Sequence, residues 1–244
     1  MTVFHPFLVA LQFLTRIPVR VRELPPQTVA RSLAYYPLVG LILGLLIAGL
    51  NALLSDAPTS VRAALVLTLW VGLTGALHLD GLADSADAWV AGAGDRERTL
   101  AIMKDPYCGP MALAAVALVL LLKFASIQSL SRVSGVLLVF VPMLARSIVP
   151  LLFATTPYVR PGGSGSALAA AQSRTTNLSV IAVAWIAVVV VAGLQGLGLL
   201  LALIGAFAIL RYAMMRRLGG MTGDTAGALI EASETSMLLT LALV

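Results

Sequence analysis

Two short stretches carry five of the 11 Asp and Glu residues in a chain of 244. The first reads His78-Leu79-Asp80-Gly81-Leu82-Ala83-Asp84-Ser85-Ala86-Asp87-Ala88-Trp89. Its aspartates are spaced i, i+4 and i+7, which predicts one face of a helix. Three carboxylates this close repel one another, and a divalent cation removes the repulsion. Hard oxygen ligands suit Mg2+, which is usually held by one or two carboxylates together with substrate phosphates. The other reading of such a cluster is a solvated acidic helix end. His78 has two readings as well: a base or phosphate-positioning group, or a hydrogen-bonded structural histidine at a membrane boundary.

The second stretch runs from Arg216-Arg217-Leu218-Gly219-Gly220-Met221-Thr222-Gly223-Asp224 to Glu231. Gly219, Gly220 and Gly223 predict a loop opening onto a helix, where backbone N–H groups can hold phosphate oxygens. Thr222 suits the cap of that helix. Asp224 and Glu231, seven apart, share one of its faces. Between the stretches, Arg98 and Lys104 have the charge to neutralise a diphosphate, or are ordinary juxtamembrane cations. Cys108, the single cysteine, has no base beside it. Together these groups suit metal-assisted transfer of a phosphate-linked group, in which catalysis is mostly positioning and charge neutralisation. No Walker-type sequence is present to suggest ATP-driven chemistry.

The elements that position these residues follow from composition. Hydrophobic residues make up 59% of the chain and charged residues 11%, with a mean hydropathy of +0.98. A soluble domain carries about a quarter charged residues. The apolar residues fall in long uncharged blocks, among them 33–54, 106–122 and 175–210. About 20 such residues cross a bilayer as a helix, and lipid requires the backbone to satisfy itself. The expected fold is therefore all-α: a polytopic membrane bundle of about six to seven transmembrane helices in one catalytic domain over 1–244. Spans are expected near 35–54, 61–78, 110–130, 134–152, 178–193, 197–213 and 225–243, the last interrupted by Glu231 and Glu234. The glycines at 193, 196 and 198 divide the longest block. Residues near 1–20, with Phe4, Phe7, Leu8, Leu11 and Leu14 on one side, suggest an interfacial segment.

With the N-terminus in the cytoplasm, all but Arg62, Lys123 and Arg132 of the 16 Lys and Arg lie on the cytoplasmic side, as positive charge distributes in membrane proteins. That puts both motifs on one cytoplasmic face of the membrane, with lipid as a constant partner. Arg146, inside the fourth span, snorkels to that face or reaches into the site. The net charge of +5 comes without a dense basic run and does not point to nucleic acid. The repeat of Gly40, Gly44 and Ala48 suits close helix packing within one subunit or between subunits of a homo-oligomer.

The same residues carry a family resemblance. Phe13-Leu14-Thr15-Arg16-Ile17-Pro18, Tyr36-Pro37-Leu38-Val39-Gly40, the segment 78–89, Ile102-Met103-Lys104-Asp105 and the run from Gly219 to Ala228 with Glu231 follow in the order seen in the cobalamin-5′-phosphate synthase family. The chain resembles that family, the adenosylcobinamide-GDP ribazoletransferases, from residue 13 to 231. The resemblance implies that α-ribazole or its 5′-phosphate is joined to adenosylcobinamide-GDP with release of GMP, late in vitamin B12 assembly, with Mg2+ as cofactor. It implies Asp80, Asp84 and Asp87 as metal ligands, and Asp224 and Glu231 completing the metal site or taking the hydroxyl proton. Arg98 and Lys104 would neutralise the diphosphate. A CDP-alcohol phosphotransferase fits less well, since no Ala-Arg follows Asp80-Gly81. An ion-coupled transporter would place its acids in mid-span, and only Glu231 and Glu234 suggest that.

Overall fold

The computed structural model describes residues 4–22, 24–130, 135–163, 165–170 and 172–243. Eleven α-helices are described, and no strand is described beyond one isolated bridge, Tyr158 to Met221. They are α1 (Phe4–Leu14), α2 (Pro26–Ser32), α3 (Tyr36–Leu53), α4 (Thr59–Thr74), α5 (Leu77–Ala91), α6 (Arg96–Ile102), α7 (Pro110–Ser129), α8 (Phe140–Thr155), α9 (Ser166–Ala170), α10 (Arg174–Leu218) and α11 (Gly223–Leu243). Five helical stretches are long and apolar enough to cross a membrane: 26–53, α7, the stretch 137–155 that ends in α8, α10 and α11. The helices α4 and α5 pass the same test only as a pair bent by 86°. Gly75 (φ 61°) and Ala76 (φ 56°) make that bend in the left-handed region, so α5 turns away from the direction of α4.

The expected break in the longest apolar block falls at Gly193. Its φ of 55° and ψ of −130° interrupt the 45 residues of α10. The expected crossing at 134–152 starts within 131–134, outside the described residues, as does Arg132. The small residues of α3 pack within the chain. A Cβ on Gly40 would stand 2.7 Å from Met143 Cα, and one on Gly44 2.8 Å from Val139 C. The backbones of α3 and α8 therefore touch. The N-terminal α1 buries Val9, Ala10, Leu11 and Leu14 against α2 and α3 and leaves Phe4 exposed.

The last helix is the axis of the bundle. It packs on α5, α7, α8 and α10, and most of it is buried although it contains Glu231 and Glu234. Lys123 and Arg146 meet those acids. Lys123 Nζ donates to Glu231 Oε2 and Glu234 Oε2, each at 2.5 Å, and lies 5.1 Å from the centre of the Trp70 ring. Arg146 donates to the other oxygen of Glu234. Lys123, counted with the charges of the outer side, is buried inside the bundle. Of the two expectations for Arg146 snorkelling is ruled out, since it has no exposed surface and reaches inward to Glu234 and His78. Two cations and two anions cancel here, which is what makes ionised groups tolerable away from water.

Candidate active site

The helix α5 starts at its 86° bend, and the predicted one-face spacing of Asp80, Asp84 and Asp87 is realised along it. The start of α11 crosses at Gly81. A Cβ there would stand 2.7 Å from Asp224 O and 3.1 Å from Asp224 Cα. Only the absent side chain allows this approach, which brings Asp80 beside Asp224 from 144 residues away in sequence.

The glycine-rich loop folds for local reasons. Gly219 (φ 69°) ends α10 in the left-handed conformation, its N–H donating to Met215 O at 3.1 Å. Gly220 lies against the backbone of Pro157, and a bridge holds the two segments together: Val159 N donates to Met221 O at 2.9 Å and Met221 N to Pro157 O at 2.8 Å. Thr222 and Thr225 cap α11 reciprocally. Thr225 N donates to Thr222 Oγ1 at 3.2 Å and Thr222 N to Thr225 Oγ1 at 2.9 Å. Gly219 and Gly220 shape the turn, and Gly223 reaches the cavities.

Two cavities meet at Gly223 and Asp224. One, of about 160 Å³, is mostly apolar and is lined by Phe13, Leu14, Tyr36, Phe153 and Leu168 together with His78, Asp80 and Gly81. The other, of about 340 Å³, is polar and is lined by Lys104, Tyr158, Arg160 and the loop 161–163. Arg160 donates to Asp224 Oδ2 at 2.5 Å, with both side chains partly exposed. Burial pushes the Asp84 carboxyl up to about 6, and the negative charges of Asp80, Asp224 and Asp87 add to the push, with Arg160 opposing it. A cluster that disfavours its own ionisation in this way, built of hard oxygens, fits a divalent cation. Among the described residues no three acids, histidines or cysteines are assembled closely enough to hold a metal by themselves. A Mg2+ ion there needs oxygens from its substrate, as this ion usually does.

Other expected site residues are placed elsewhere. The Asp87 carboxylate accepts the N–H of Gly109 and, at 3.0 Å, that of Ala112, anchoring the start of α7. Each of its two oxygens is engaged by one of those bonds. Glu231 does not line either cavity, and its carboxylate is held by Lys123. His78 lines the apolar cavity, but its Nδ1 lies 3.4 Å from an Arg146 nitrogen, so a guanidinium faces the atom a base would use. Arg98 is exposed and lines neither cavity. Arg217 braces Trp89, donating to its carbonyl at 3.1 Å, and donates to Thr99 Oγ1 at 3.2 Å. Cys108 is exposed and free.

Arg160 is the residue that reading the sequence missed, having been counted only as a loop charge. Its signal was local: a cation followed by Pro161-Gly162-Gly163, a backbone able to wrap an anion.

These features define an all-helical membrane protein with acids and cations gathered at one end, between an apolar and a polar cavity. The chain belongs to the cobalamin-5-phosphate synthase family, whose pattern matches residues 6–242. It is 54% identical over 240 residues to the adenosylcobinamide-GDP ribazoletransferase of Pseudomonas savastanoi pv. phaseolicola, covering 98% of this chain and 99% of that protein. To the adenosylcobinamide-GDP ribazoletransferase of Pseudomonas aeruginosa PAO1 it is 52% identical over 238 residues, 97% of each. No solved structure matches the chain.

Proposed function

We propose that this chain is an adenosylcobinamide-GDP ribazoletransferase that works with Mg2+ at the cytoplasmic face of a bacterial inner membrane. The observation that supports the site assignment is that Asp80, Asp224, Arg160 and Lys104 line two cavities that share Asp224, while Asp84, on the lining of neither, feels the charges of Asp80, Asp224 and Arg160. In the reaction a ribose hydroxyl of α-ribazole, or of its 5′-phosphate, attacks the cobinamide-linked phosphorus. A new P–O bond forms there, the P–O bond to GMP breaks, and the hydroxyl proton passes to a carboxylate.

Asp80 and Asp84 would hold the Mg2+, which supplies positive charge against the diphosphate. Lys104 and Arg160 bind the phosphates from the polar cavity. Once Arg160 turns to the substrate, Asp224 is freed to accept the hydroxyl proton. The apolar cavity, floored by Phe13, Tyr36 and Phe153, excludes water beside the reacting group. Glu231, with Lys123, holds α11 in place.

The test is GMP release by the purified full chain given adenosylcobinamide-GDP, α-ribazole and Mg2+. Absence of GMP under all these conditions sinks the activity. Near-normal transfer by Asp84→Asn at limiting Mg2+ sinks the metal assignment. Sidedness has its own test, because Cys108 is exposed, is the single cysteine and adjoins Gly109, whose N–H donates to Asp87. An impermeant maleimide is expected to label it in inverted vesicles and not in intact spheroplasts.

A further inference from the structure

A further cavity, of about 490 Å³, lies at the other end of the bundle, mostly apolar in its lining but with Asn51, Ser55 and Arg62 set among Leu45, Val136 and Val139. Three elements fix its place. The helix α3 runs from Tyr36, on the active-site cavity, to Asn51 in its last turn. The helix α4 starts beside Arg62 and returns to the bend before His78. From Val139, α8 leads back to Phe153 on the active-site cavity. Fifteen helical residues between Tyr36 and Asn51 cover roughly 22 Å, most of a hydrocarbon core about 30 Å thick. This cavity therefore opens at the opposite membrane interface.

Two atoms of its lining have no hydrogen-bond partner among the described residues: Asn51 Oδ1 and Arg62 Nε. Asn51 is 9% exposed. One atom is an acceptor and the other a charged donor, and no carboxylate pairs with Arg62 among the described ion pairs. Unpaired polar atoms next to lipid are costly. Water would satisfy the hydrogen bonds and leave the guanidinium charge uncompensated. A phosphate neutralises Arg62, and a hydroxyl on the same headgroup donates to Asn51. An ammonium there would add positive charge beside Arg62. Leu45 and Val136, 55% and 66% exposed, line the same cavity and give an acyl chain an apolar track.

We propose that this cavity binds the headgroup of one anionic phospholipid bearing hydroxyls, of the phosphatidylglycerol class, in the leaflet opposite the active site. The proposal rests on the membrane-spanning fold and not on the transfer reaction. The test uses the full chain in nanodiscs of phosphatidylglycerol or phosphatidylcholine, transferred to detergent and weighed by native mass spectrometry. Wild-type protein is expected to keep one phosphatidylglycerol with a preference of roughly ten-fold, the size of one charge-assisted hydrogen bond. Arg62→Gln and Asn51→Leu are expected to lose that preference while still releasing GMP. Wild-type protein retaining no lipid, or both lipids equally, overturns the proposal without recourse to a variant. Full displacement by millimolar glycerol phosphate would mean a soluble anion site and overturn it too. So would an Asn51→Leu protein that melts higher and binds lipid unchanged, which would make Asn51 a plain unpaired group.

Discussion

Gly81→Ala tests the helix crossing on which the site depends. A Cβ at this position would meet three backbone atoms of Asp224: O at 2.7 Å, Cα at 3.1 Å and C at 3.3 Å. Ordinary contact begins near 3.4 Å, so the start of α11 must retreat by 3.4 − 2.7, roughly 0.7 Å, taking Asp224 away from Asp80. Overpacking of this kind costs about 1–3 kcal/mol, so the protein is expected to fold with a lowered melting temperature. A displacement of order 1 Å at reacting groups costs about 10²-fold in rate. GMP release at saturating Mg2+ and both substrates is therefore expected to fall by about 30- to 100-fold. Gly227→Ala is the internal control, because it lies at the same crossing. Its Cβ would stand 3.4 Å from His78 Cα and O, within ordinary contact, and alanine favours the helix by up to about 1 kcal/mol. It is expected to keep its rate within about two-fold, less than a 1.4 kcal/mol change would produce. Gly81→Ala at full rate, or Gly227→Ala as damaged as Gly81→Ala, would refute the reasoning.

Further outcomes follow from the same geometry. Arg160→Gln is expected to raise the KM for adenosylcobinamide-GDP about ten-fold or more, the loss of one charge-assisted contact; an unchanged KM in steady-state kinetics would remove Arg160 from the site. Asp87→Asn is expected to lose about 1 kcal/mol of stability as a weakened helix anchor, seen in thermal unfolding, and to keep its Mg2+ dependence, whereas Asp84→Asn loses activity. Proton and metal compete for Asp84. Its folded carboxyl, raised to about 6 from 3.8, holds a proton that the unfolded chain has already lost, and that proton leaves as pH rises through 6. Metal-free protein thus loses stability across that range, and the Mg2+ concentration for half activity falls from about pH 5 to 7. A flat Mg2+ titration across that range would contradict this. Lys123→Met strands Glu231 in the bundle, since Glu234 keeps Arg146, and is expected to cost about 3–5 kcal/mol. Adding Glu231→Gln restores charge balance and much of the folded yield in detergent.

Reading the sequence found the spans because a bilayer imposes a length and forbids charge, and both show as uncharged blocks. The break at Gly193 was visible for a related reason, since clustered glycines interrupt a helix wherever it lies. The three-aspartate face was visible because α5 is one continuous helix. The crossing at Gly81 was hidden, because nothing within 78–89 reveals which later backbone needs the missing Cβ. The backbone contacts of Asp87 were hidden for the same reason. Its partners, Gly109 and Ala112, lie on another helix, and i+7 spacing on α5 reports only that the three acids share a side.

The partners of the charges inside spans were the least legible feature, and for one physical reason. Taken singly, Lys123, Arg146, Glu231 and Glu234 each demand an explanation in function or in exposure, because an unpaired ion in lipid is untenable. Taken together they cancel, two against two, and need neither. Pairing is a tertiary property, so a linear reading assigns such residues to chemistry too readily. What separates the candidate site from this cluster is incomplete compensation. Asp80 and Asp224 line the joined cavities with Arg160, and burial together with the surrounding negative charge raises the nearby Asp84 carboxyl to about 6. A cation and a diphosphate would complete that balance together. In a membrane protein poor in charge, uncompensated charge beside a cavity marks function more sharply than the presence of charge does.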